Sequence, residues 1–218
     1  MRSLATLLAA VATSSVLVVG VGATAGAAPG TPVTSGAAAA TTAASRVSVA
    51  SLQTTGARTQ VVVHGVRRTA QARWIDGIVD TRLVSIDGCL AAVPESTVSG
   101  GVYRAAVTTV CRGGVATARA AARSLVRSKP WYRVSVSSVR LTAFTFTAPR
   151  ASGSGAPVEA ALAQLPVDAD TYVEGDDTSL IYIGRGVTQA RLDAARAAFA
   201  HELGIGSARV RVSPLRLT

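Results

Sequence analysis

The segment RVSVSSVRLT at residues 133–142 recurs as RVRVSPLRLT at residues 209–218, with seven of ten positions identical. Internal similarity of this kind is typical of a duplicated structural unit. We therefore expect two related units, each of which ends in one copy of this Val-rich strand.

Each copy follows a helical pattern that opens with Gly-Val, namely GVATARAAARSLV from Gly114 and GVTQARLDAARAAFAHEL from Gly186. Apolar residues recur at helical spacing in both patterns, and Pro130 and Gly204 are suited to end the two helices. A strand-like run lies before each helix, VYRAAVTTVC in the first unit and SLIYIG in the second. The predicted repeating unit is therefore strand, helix, strand.

Further elements extend both units. In the first unit, the runs at 59–66, 70–75 and 81–86 are predicted to be three strands separated by turn residues. In the second unit, Pro157 begins a short helix, and residues 171–183 form a hairpin around a Gly-Asp-Asp turn. The predicted fold class is α+β, two related small units with helices packed on antiparallel or mixed sheets.

The N-terminal region is typical of an exported protein. Residues 1–27 combine Arg2, a long uncharged run of Ala, Val and Leu, and small residues suited to signal peptidase. The alternative is an uncleaved membrane anchor, which Thr, Ser and Gly within the run disfavour. Residues 28–44 are almost wholly Ala, Gly, Thr, Ser and Pro and are predicted to form a disordered spacer. The expected location is secreted or at the cell envelope, without a stable transmembrane span after signal cleavage.

The remaining chain divides at a stretch rich in Gly and Ser. We predict a basic unit at 45–147, a linker at 148–156 and a second unit at 157–218. The first unit holds Cys89 and Cys111, the two cysteines of the chain. An exported pair of cysteines is expected to form a disulfide bond.

Charge is distributed unevenly along the chain. Residues 46–150 hold 15 basic and four acidic side chains, a net charge of +11, whereas residues 151–218 carry a net charge of −2. A basic half of this size favours docking on anionic surfaces, and a merely solvated basic face is the alternative. The predicted anion-binding residues lie on and after the first helix: Arg119, Arg123, Arg127, Lys129 and Arg133.

Motifs for catalysis or metal binding are missing from the sequence. The two histidines, His64 and His201, lie in no nucleophile or base motif. After His201-Glu202, Ile205 stands where a helical zinc site needs its second histidine. We therefore expect neither catalysis nor a cofactor nor a metal.

Five carboxylates of the second unit lie within ten residues: Asp168, Asp170, Glu174, Asp176 and Asp177. Hard cations prefer such oxygen ligands, but the spacing lacks the pattern of an EF-hand loop. A hairpin turn is the favoured interpretation, and a calcium site is the alternative.

The second unit resembles the BON domains of bacterial envelope proteins. The resemblance is carried by the order helix, strand, strand, helix, strand at 157–218, with Ile183-Gly184-Arg185-Gly186-Val187 before an Ala-rich helix and a final Val-rich strand. Residues 102–142 share the pattern to a lesser extent. The resemblance implies a noncatalytic periplasmic or surface module that binds lipid or envelope components.

Two functional hypotheses follow. The first is an exported, noncatalytic module that binds an anionic envelope polymer or lipid headgroups through its basic first unit. The second is an inhibitor of, or folding helper for, a secreted protease, because small α+β units also resemble the prodomains of secreted proteases. Nucleic acid is not expected as the partner of an exported chain.

Overall fold

A computed structural model describes residues 47–92, 95–149 and 155–217 of the chain. The predicted signal peptide at 1–27 and the spacer at 28–44 lie outside these residues, as does the centre of the predicted linker. None of the helices in the described ranges combines the length and the hydrophobicity of a membrane-spanning helix.

The described residues form one antiparallel sheet with four helices. The strands are β1 (Gln53–His64), β2 (Cys89–Ala91), β3 (Glu95–Ser99), β4 (Val102–Cys111), β5 (Tyr132–Thr147), β6 (Tyr172–Gly175), β7 (Ser179–Gly184) and β8 (Arg211–Pro214). The helices are α1 (Thr69–Val79), α2 (Val115–Ser128), α3 (Ala156–Leu162) and α4 (Gln189–Glu202).

Strand β5 joins the two units because it belongs to both. Its residues from Tyr132 to Thr142 pair with β1. Its last four residues, Phe144 to Thr147, pair with β7 on one side and with β8 on the other. β1 and β7 flank β5 on opposite sides. β8 therefore pairs with β5 on the same side as β1, beyond the end of the β1 pairing.

The shared strand gives both units the order βαββαβ. The first unit consists of β1, α1, β2 with β3, β4, α2 and the first part of β5. The second consists of the last part of β5, then α3, β6, β7, α4 and β8. In each unit the first strand lies between the third and the fourth, which is the split βαβ arrangement of ferredoxin-like folds. The predicted α+β class with two related units is thus confirmed.

Two of the strands predicted for the first unit are wrong. Residues 70–75 lie inside α1, and residues 81–86 largely form a π-helical turn, Asp80–Val84, that continues this helix. The buried residues Ile75, Val79 and Leu83 recur every four positions, which is the spacing of one helix face. Each of the two runs is too short to show this four-residue spacing by itself.

All four helices cover one face of the sheet. In the first unit Tyr132 packs with residues of α1 and α2, and in the second Phe144 and Phe146 pack with residues of α3 and α4. These three residues have even numbers and therefore lie on the same face of β5. The opposite face bears a small apolar cluster around Leu141 and Ile183.

The structure contains the predicted disulfide bond between Cys89 and Cys111. The two residues are directly opposite each other on β2 and β4, with Cα atoms 4.0 Å apart. The bond therefore attaches the short edge strand β2 to the strand that leads into α2.

Candidate anion-binding surface

Helix α2 presents three arginines to solvent. Its other face buries Ala118 and Leu125 against the sheet, and this packing orients the helix. Arg119, Arg123 and Arg127 are consequently exposed, with the Nε atom of Arg123 donating to the Arg119 carbonyl oxygen at 3.3 Å.

The turn after α2 adds a further cation and an exposed aromatic ring. The Lys129 amide donates to the Leu125 carbonyl at 2.8 Å, and the Tyr132 amide donates to the Lys129 carbonyl at 3.0 Å. Pro130 occupies the second position of this turn, where its fixed φ is favourable. The turn leaves Trp131 52% exposed and directs Tyr132 into the core, where burial raises the pKa of its phenol to about 12.

Helix α1 brings the other tryptophan of the chain, Trp74, to the same place. Trp74 is 50% exposed. The Nζ atom of Lys129 lies 5.2 Å from the centroid of the Trp74 ring and 5.4 Å from that of Trp131, within the range of cation–π attraction. Ile78 and Arg82 line the adjoining groove of about 450 Å³.

We give the name basic–aromatic surface to the cations and tryptophans of α1 with its π-helical continuation, α2 and the turn after α2: Trp74, Arg82, Arg119, Arg123, Arg127, Lys129 and Trp131. Within it, Trp74, Arg82 and Lys129 line one groove, whereas Arg119 and Arg123 line another, between α2 and β5. Among the residues that the structure describes, none of its five cations forms an ion pair with a carboxylate. Their positive charge is therefore not neutralised within this part of the protein, and it is available to an anionic ligand.

The structure separates Arg133 from the other four predicted anion-binding residues. Tyr132 faces the helices, so the next residue along the strand faces the opposite side of the sheet. There Arg133 lies opposite Val62, with Arg104 on the other flank of Val62. Conversely, Trp74 and Arg82 were missed because their segments were predicted to be strands.

The carboxylate cluster of the second unit does not form one site. Asp176 Oδ1 accepts from the amides of Thr178 and Ser179 at 2.9 and 2.8 Å, as a hairpin turn requires. Asp170 is buried and pairs with Arg58 and Arg185. In the described ranges no three His, Cys, Asp or Glu side chains converge as metal ligands would.

The remaining side chains that could take part in catalysis are two exposed histidines and a tyrosine with a structural role. His64 is exposed, and His201 is 85% exposed with its Nδ1 atom 3.2 Å from Glu202 Oε1. In the first unit, Tyr103 donates to Asp76 at 2.7 Å. Burial first, and then this carboxylate, raises the pKa of Tyr103 above its usual range, so the phenol keeps its proton and ties α1 to the sheet.

Comparison with known proteins finds similarity to solved structures. No family model and no curated protein matches this chain. Solved structures that resemble it include the ligand-free regulatory subunit of aspartate kinase from Thermus thermophilus, at 10% identity and a TM-score of 0.33, with 68% of this chain and 97% of that chain covered. Another is aspartate kinase from Synechocystis, at 16% identity and a TM-score of 0.30, with 73% of this chain and 27% of that chain covered.

Similarities at these values support no assignment of function, and the fold follows from the chain's own strand pairing. The resemblance to BON domains stays a prediction.

Proposed function

We propose that this protein is an exported, noncatalytic module that binds an anionic component of the cell envelope through its basic–aromatic surface. The observation that carries the proposal is the position of Lys129 between two half-exposed tryptophan rings. The arginines of α2 are exposed as well and pair with no carboxylate among the described residues. The disulfide and the apolar N-terminal segment support export.

The arrangement combines two kinds of attraction. The cations attract phosphate, sulfate or carboxylate groups, and this attraction weakens as salt screens exposed charges. Each tryptophan adds an apolar ring with a polar edge, which suits the boundary between water and a less polar ligand. Binding is therefore expected to depend on both charge and aromatic contact.

The test is retention of the protein on anionic and neutral partners at low and high salt. The anionic probes are phosphatidylglycerol vesicles and dextran sulfate, and the neutral ones are phosphatidylcholine vesicles and dextran. We expect retention on at least one anionic probe, with loss in high salt. Equal retention on neutral probes, or none on either anionic probe, would refute the proposal.

A charge-matched pair of variants locates the interaction. Replacing Arg119, Arg123 and Arg127 by Gln removes three charges from the basic–aromatic surface and should abolish most retention. Replacing Arg209, Arg211 and Arg216 by Gln removes the same charge from exposed positions of the second unit and should leave retention nearly unchanged. Equal losses would mean that net charge alone attracts the probe.

A further inference from the structure

Strand β5, the longest strand of the described sheet, has an open edge from Tyr132 to Leu141. Residues 132–142 of β5 pair with β1 on one side, whereas β7 covers the other side only from Thr142 to Thr147. Within the described chain, β5 is therefore unpaired on that side from Tyr132 to Leu141. In an antiparallel strand every second residue directs its N–H and C=O groups to a given side, so about half of these residues present free backbone groups.

A groove runs beside this open edge, between β5 and α2. Val134 and Val136 form its floor on the sheet, and Ala122 and Val126 line it on the helix. Its volume is about 580 Å³, within the range of ligand-binding clefts. The two valines are only half-buried, so apolar surface remains available there.

Two arginines lie at the rim of the groove. Arg119 and Arg123 belong to the lining, and neither pairs with an acidic side chain of the described residues. A ligand at this edge therefore meets free backbone groups, an apolar floor and positive charge together.

We propose that an extended acidic polypeptide segment of another protein binds here as an added strand of the sheet. Its backbone pairs with the open edge of β5 in line with β7, which already occupies the next stretch of this edge. Strand addition takes its affinity from main-chain hydrogen bonds and its specificity from alternate side chains. At the positions that face α2, an apolar side chain contacts Val134 and Val136 while Asp or Glu reaches Arg119 and Arg123.

Charge selects this occupant over a second copy of the same chain. Two copies paired edge to edge would bring together the basic first units, each with a net charge of +11 over residues 46–150, and their arginines would repel. An acidic segment neutralises the same arginines. The inference does not rest on the envelope ligand, because its main contact is the backbone of β5, but Arg119 and Arg123 belong to both proposed sites.

The probe is a synthetic seven-residue peptide with Glu, Val and Glu at its second, fourth and sixth positions and Thr at the other four. Amide hydrogen exchange, read by NMR on the purified chain, should show slower exchange at the outward-facing amides of 133–140 when the peptide is added. The control peptide carries N-methyl groups at alternate backbone positions and cannot complete the ladder, so it should give no protection.

Variants test the charge contribution. Replacing Arg119 and Arg123 by Ala should weaken peptide binding on the order of tenfold, whereas Arg211→Ala on β8 should leave it unchanged. Absence of binding, protection outside β5, or equal binding of the N-methylated peptide would overturn the proposal. Protection that rises with protein concentration without peptide would also overturn it, in favour of self-association.

Discussion

Arg58 of β1 and Asp170 of the loop before β6 form an ion pair that links the two units, although the two residues are 112 positions apart in the chain. Asp170 is 6% exposed and also accepts from Arg185 Nη2 at 2.7 Å. One buried carboxylate thus pairs with two guanidinium groups from different units.

The first prediction concerns this carboxylate. Asp170→Asn leaves two arginines without their shared counter-charge, and we expect the free energy of unfolding to fall by about 2 kcal/mol, measured by urea denaturation. The matched control is Asp168→Asn, which alters a half-exposed carboxylate 3.2 Å from Arg185. Its effect should stay below about 1 kcal/mol. Equal losses in both variants would contradict the role assigned to burial.

The second prediction compares two glycines. A Cβ atom at Gly56 would lie 2.7 Å from the Thr109 carbonyl oxygen and 2.5 Å from Leu141 Cδ1. Gly56→Ala should therefore destabilise the protein by about 2 kcal/mol. Gly77 lies in α1, and apart from its chain neighbours and the backbone of its own helix no atom lies within 4 Å of such a Cβ, so Gly77→Ala should stabilise the protein by up to about 1 kcal/mol. Thermal unfolding of both variants measures the contrast, and the same sign of change in both would refute it.

The third prediction concerns the Cys89–Cys111 bond. Reduction removes a link across 22 positions and should lower stability by about 3 kcal/mol in the chain-entropy model. For a domain of this size the melting temperature should fall by roughly 10 °C. Because both units share β5, we expect one cooperative transition in calorimetry before and after reduction. A reduced protein with two separate transitions would show that the units unfold independently.

The fourth prediction is a pH effect at the hairpin between β6 and β7. Hydrogen bonds from the Thr178 amide, and then from Ser179, lower the pKa of Asp176 below its ordinary value of 3.8. A lowered pKa in the folded state means that the stabilisation is present above pH 3.8 and is lost as pH falls through the folded-state pKa. Asp176→Asn should reduce this acid dependence while keeping the turn acceptor, as urea unfolding across the acid range will show. The same dependence of stability on pH in the Asp176→Asn variant and in the original protein would contradict this prediction.

The fifth prediction uses the two tryptophans as reporters. Trp74 and Trp131 are the only tryptophans of the sequence, so intrinsic tryptophan fluorescence reports on the basic–aromatic surface alone. An anionic probe that binds there should shift the emission, and high salt should reverse the shift. Trp74→Phe and Trp131→Phe should each remove part of the change. Retention of the protein on the probe without any spectral change would place binding elsewhere.

The local patterns of α2 and α4 were strong enough to predict both helices from sequence. Ala118, Ala122 and Leu125 recur at helical spacing, and Gly204 ends α4 with φ +64°. The amides of Gly204 and Ile205 bond back to the His201 and Ala200 carbonyls, a helix end that glycine favours. Helix α1 was not predicted, because its apolar residues lie four apart among short strand-like runs.

The sequence by itself determined the duplication, the α+β class, the pairing of the two cysteines and the excess of positive charge. These properties follow from repeated letters, local periodicity and counts of residues. Only the tertiary structure decided that β5 serves both units, that Trp74 and Trp131 flank Lys129, and that Arg133 faces away from the arginines of α2. Each of these depends on strand pairing and on the alternation of side chains across a sheet, which bring together residues that are far apart in the chain.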